Sequence, residues 1–262
     1  MRRYRAVLAV LVAATFLLGL NVALHPRAGE LPSTATPHCK ASSRSAVTGT
    51  VTSSSCDEEL AARVQESLDE AVAAVSNTLD IGRGGVSWSR RVDVVIPASD
   101  AELVSLVGPA FKDMAGIAIR DGAAQRVVLN RVRAAPLSDL ELGVLLRHEI
   151  THVATRDQTS DSAPLWLVEG FADWVAFRGT GLGLREAAPL LTAEVSGLPT
   201  DFSGPGRDLA YQQAYSIMVF LQSRLGERGV VEFFLKNASR SGVDAGAVDV
   251  AGWREFLRTA IG

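Results

Sequence analysis

The chain has 262 residues, 26 basic and 29 acidic side chains and a net charge of -3, with only three lysines, so it carries no basic surplus for a nucleic-acid partner. It shows no internal repeat, no nucleotide-binding glycine loop and no basic stripe. With 2 cysteines and 4 histidines, the position of each one is informative.

Arg2, Arg3 and Arg5 precede an uncharged, mostly apolar run from Ala6 to Leu24. As a helix that run is about 28 Å long, close to a hydrocarbon core of roughly 30 Å and long for the apolar part of a signal peptide. Residues 1–24 are therefore expected to be a signal or an N-terminal membrane anchor. The anchor is the expected form because no Ala-x-Ala cleavage pattern follows; cleavage and secretion is the alternative. The arginines keep the N-terminus cytoplasmic and place the rest of the chain outside. Residues 25–56 are rich in Ser, Thr and Pro, and they are expected to form a spacer that packs no core. Cys39 and Cys56 lie in it, and in an oxidising compartment they suggest one disulfide worth about 3 kcal/mol.

The domain proper is expected over 57–262. Leu60, Val64, Leu68, Val72, Val75 and Leu79 recur at helical steps behind Asp57, Glu58 and Glu59, which predicts a helix ending before Gly82. The β-branched run from Val92 to Ile96 predicts a strand, and a short helix follows from Ser99 to Val107. Gly116 to Arg120 and Arg126 to Asn130 predict a hairpin around Asp121 and Gly122, with a loop longer than two residues.

A helix capped by Ser138 comes next, with Leu142, Leu145, Leu146, Ile150 and Val153 among its apolar positions. It carries His148, Glu149 and His152 in HExxH spacing. Residues i and i+4 share one helix face, so both imidazoles can reach one zinc ion while Glu149 addresses the attacking water. With 4 His and 14 Glu in the chain, such a motif arises by chance only about 0.003 times. His25 and His38 fall in the leader and spacer, so the domain's two histidines are the two at metal spacing. After a polar loop, a return helix from about Pro164 offers Glu169 as third ligand, with Asp173 one turn further on the same face. Ala210 to Leu225 is expected to be a helix stopped by Gly226, and two more helices carry Val230 to Phe234 and Trp253 to Ile261.

His148, Glu149, His152, Trp166, Leu167, Glu169, Gly170, Ala172, Asp173 and Trp174 together resemble the gluzincin metallopeptidases, in particular the peptidase MA-like group, over roughly Val92 to Leu235. The resemblance implies an α+β, zincin-like fold, with a small mixed sheet over the HExxH helix and a mainly helical C-terminal part. It implies one zinc ion held by His148, His152 and Glu169, with Glu149 as general base and Asp173 fixing the tautomer of His148. It aligns Tyr211 with a family tyrosine that donates to the oxyanion, and Gln213 with a glutamine; whether Tyr211 or Tyr215 faces the site stays open. The expected activity is peptide-bond hydrolysis, with a peptide or protein substrate pairing with an edge strand. The rival is a non-catalytic, zinc-stabilised binding or scaffold domain, which has no use for Glu149.

Overall fold

The computed structural model describes residues 42–55, 57–82, 84–121, 124–239 and 248–261. The leader, Cys39 and Cys56 lie outside the described residues. Among the described residues no helix is long and apolar enough to cross a membrane.

Five strands form one mixed sheet: β1 (Ser42–Ala46), β2 (Gly49–Ser53), β3 (Asp93–Ile96), β4 (Gly116–Asp121) and β5 (Ala124–Leu129), in the order β1-β2-β3-β5-β4. β3 runs parallel to both β2 and β5, whereas β1 and β4 are antiparallel to their neighbours and form the two edges. Alternation along the strands gives the sheet two buried faces. Val94, Ile96, Val127 and Leu129 belong to the main core, and Val128, Ile117 and Ile119 pack with Leu103 and Val107 of α2 (Asp100–Val107) in a smaller one.

The spacer expectation fails over residues 42–53, which form β1 and β2. Their polar Ser and Thr pattern resembles a tether, but β1 is an edge strand held by its backbone, and Val51 alone drives β2 into the core. Long-range contacts supply what composition lacks. Asp69 on α1 (Glu58–Leu79) accepts hydrogen bonds from the Val47 and Thr48 amides and the Thr48 hydroxyl, which pins the turn of this hairpin. The predicted β4–β5 hairpin is present, but its pairing runs to Asp121 and Ala124, so the connection is two residues and not longer.

The predicted apolar positions of α1 are all buried. After the short α3 (Arg131–Ala134), α4 (Asp139–Thr155) starts at a capping box in which the Ser138 hydroxyl accepts from the Glu141 amide and the Glu141 carboxylate accepts from the Ser138 amide. α5 (Leu165–Phe177) is buried along nearly its whole length between α4 and α7 (Arg207–Ala238). α6 (Leu184–Ala187) interrupts the irregular segment between α5 and α7, and Gly226, at φ 69°, breaks α7 where the sequence places its stop. α8 (Val250–Ile261) closes the fold by inserting Trp253, whose indole N–H donates to Ser216 on α7. The architecture is α+β with a mixed sheet.

Candidate metal centre and active site

α4 and α5 are antiparallel, and the proof is in their pairing: His148 meets Asp173 while His152 meets Glu169. Each helix therefore contributes two groups one turn apart to a shared face. His148 Nε2 lies 2.9 Å from His152 Nε2, and a Glu169 carboxylate oxygen lies 3.4 and 3.5 Å from them. A tetrahedral ion with bonds of about 2.0–2.1 Å separates its ligand atoms by roughly 3.3 Å, so two of these spacings already suit it and the nitrogens need to part by only about 0.4 Å. This buried His148, His152 and Glu169 cluster can hold a metal ion.

The charge balance makes the same case. Glu149 and Glu169 are fully buried; Glu169 faces the two imidazoles, Glu149 has the Ala118 backbone as its polar neighbour, and Oδ2 of Asp173 has no hydrogen-bond partner among the described residues. Three carboxylates buried together are expensive away from water, and a divalent cation among them would offset that expense. His148 Nδ1 lies 2.6 Å from Asp173 Oδ1, so with the proton on Nδ1 donated there, Nε2 is the nitrogen that faces Glu169 and would meet a metal.

Burial alone would lower the pKa of His148, but the charge and hydrogen bond of Asp173, helped by Glu169, outweigh it and raise the group well above the usual imidazole range. In His152 burial prevails over the pull of Glu169, and the pKa falls. Burial would raise Glu169, yet the two imidazoles hold it below its ordinary value. Burial raises Asp173 despite His148. Glu149 is pushed up to about 8 by burial, against the pull of His148 and with a further push from Glu169.

Glu149 lies under the start of edge strand β4. A Cβ at Gly116 would come within 2.7 Å of its Oε1, so only glycine lets the strand pass this close. Sequence reasoning used Gly116 merely as a strand boundary; a glycine at the start of a strand is the signal for close approach.

On the other side stands Tyr211. It is almost completely buried, its ring meets Phe202 edge-on at 5.2 Å, and burial raises its pKa with added repulsion from Glu169, Asp173 and Glu149. The Tyr215 ring packs tilted against Phe177 at 5.1 Å, and of the site carboxylates only Asp173 adds to the burial that pushes it up to about 12. Tyr211 is thus the tyrosine in electrostatic reach of the whole cluster. Gly170 sets that approach: a Cβ there would lie 2.7 Å from the carbonyl carbon of Ala214, so α5 and α7 touch backbone to backbone one turn beyond Tyr211. Gln213 is half-buried, whereas Gln212 is buried and accepts from the Leu190 amide at 2.6 Å, tying the segment after α6 to α7.

No protein-family model matches this chain, and a search of curated proteins returns no match.

Proposed function

We propose that this chain is a zinc-dependent metallopeptidase of the gluzincin type, in a zincin-like fold, that hydrolyses peptide bonds with Glu149 as general base. The observation that carries the reading is the convergence of His148, His152 and Glu169 beside a buried Glu149, directly under the edge strand β4. A scaffold domain would gain nothing from burying Glu149, a carboxylate that the metal ligands do not need. The sequence of residues 1–24 supports an exported domain, anchored at the membrane by a single pass or released by cleavage.

Zinc at this position supplies Lewis acidity, polarising the scissile carbonyl and acidifying the attacking water. The chain's own groups do the rest. Glu149 accepts the water's proton and can return it to the departing amine. The Tyr211 hydroxyl, kept protonated by burial and further by the carboxylates around it, donates to the carbonyl oxygen as negative charge develops there. Asp173 holds the His148 ring in one tautomer and one orientation. β4, an edge strand of the sheet, can bond an extended peptide backbone beside Glu149.

Metal analysis and cleavage of a peptide library test the reading together. About one zinc per chain and cleavage that is lost in Glu149→Gln with zinc retained are expected. Zinc retained by a His148→Ala, His152→Ala double variant would place the site elsewhere, and an inert wild-type protein that binds zinc would favour the scaffold.

A further inference from the structure

Arg207 begins α7 one helical turn before Tyr211, on the same face. Its guanidinium crosses to the strand side of the site, where Nη1 lies 3.9 Å from the sulfur of Met114. Met114 is buried two residues before Gly116, the residue that passes over Glu149. Arg207 therefore spans from the tyrosine side to the Gly116 end of β4. Its charge also reaches Tyr211, whose raised pKa it opposes.

What sets Arg207 apart is its lack of a close oxygen partner among the described residues. Arg63, Arg147 and Arg178 have side chains 15–25% exposed, and each closes on a carboxylate at 2.6–2.8 Å. Arg207 is equally shielded at 24%, yet its ion pair with the adjacent Asp208 is long, at 3.5 Å, and its other contact is the Met114 thioether. A guanidinium offers five donors in a planar fork suited to a carboxylate, and little of that capacity is used here.

We propose that Arg207 anchors a carboxylate of the substrate, making this a site for peptides that carry negative charge on the C-terminal side of the scissile bond; the proposal rests on the hydrolase reading above. The side follows from strand geometry. β4 runs from Gly116 to Asp121, so a peptide paired antiparallel, the slightly more stable mode, brings its C-terminal end to Gly116 and Arg207. The carboxylate is either the chain terminus or an Asp or Glu side chain, since both present the same fork of oxygens.

The test uses binding, so that it stands apart from turnover. Zinc-loaded full-length Glu149→Gln protein is offered three acetylated, randomised hexapeptide pools: one amidated without acidic residues, one with a free C-terminus without acidic residues, and one amidated with acidic residues. Retained peptides are identified by mass spectrometry. We expect at least one carboxylate-bearing pool to be retained roughly tenfold or more over the neutral pool, and that preference to vanish when Arg207→Gln is added with zinc content unchanged. Selective retention of the free-terminus pool identifies the terminal carboxylate, and retention of the acidic pool identifies a side chain. Equal retention of all three pools overturns the proposal with no Arg207 variant needed. A preference that survives Arg207→Gln overturns it as well, and Arg207→Lys, which keeps the charge but not the fork, serves if the glutamine variant does not fold. Cleavage of the same pools by wild-type protein tests the hydrolase reading separately: cleavage without carboxylate preference removes Arg207's role and leaves the peptidase intact.

Discussion

At the scale of single residues, the site is a set of groups whose neighbours decide their roles. Asp173 touches the proposed metal only through His148, so Asp173→Asn leaves the ligand set intact while weakening the acceptor that orients the ring. We expect zinc affinity to fall about 10- to 100-fold with the fold retained, measured by competition with a chromophoric chelator. Unchanged affinity would reduce Asp173 to a packing residue. Tyr211→Phe removes one hydroxyl and keeps the ring against Phe202. The expected result is a kcat lower by about 10²- to 10³-fold, with zinc content and Tm little changed. Tyr215→Phe, whose ring lies against Phe177, should leave kcat close to wild type; the opposite pattern would exchange the two roles.

At the scale of elements, two close approaches carry the arrangement. α5 and α7 meet at Gly170 and Ala214, and the contact is with backbone, which cannot swing aside. Gly170→Ala should therefore lower stability by about 1–3 kcal/mol and reduce activity further by backing Tyr211 away from the cluster; thermal melting and kcat on the same sample separate the two effects. The hairpin of β1 and β2 depends on Asp69. Its carboxylate sits below the usual range because the Thr48 hydroxyl, the Thr48 amide and the Val47 amide favour the ionised form. A depressed folded-state pKa contributes stability above the unfolded-state value, and that contribution is lost as pH falls through the folded-state value. Amide exchange at Val47 and Thr48 should accordingly accelerate below the ordinary carboxylate range, and Asp69→Asn should abolish that acid-sensitive step. Identical exchange profiles in the two proteins would detach the hairpin from Asp69. This hairpin also shows where sequence reading falls short. Ser and Thr alternation with a single buried Val reads as spacer, since the partners that order it stand on α1 and β3, 20 to 43 residues further along the chain.

At the scale of the whole molecule, the proposed metal lies where α4 and α5 meet beneath the sheet, so zinc binding and global stability are linked. Returning zinc to chelator-treated protein at about 1,000 times its Kd should stabilise the fold by about 4 kcal/mol, or raise Tm by roughly 8–16 °C for a domain of this size. No shift in the wild type, or an equal shift in the His148→Ala, His152→Ala variant, would count against the site. Sequence alone located the candidate metal cluster: HExxH on one helix and Glu169 with Asp173 on the next each follow from a four-residue spacing, and helical periodicity is local, so those pairs share a face in any fold that keeps the helices. It also located the helix stop at Gly226 and the capped start at Ser138, which depend on a few adjacent residues. Only the tertiary structure decided that Tyr211 feels the charge of all three carboxylates, that Gly116 passes over Glu149, that Gln212 and not Gln213 is buried, and that Arg207 faces the strand side. Those relations join α7 and β4 to helices tens of residues away, and no local periodicity carries information about which face of a distant element arrives there.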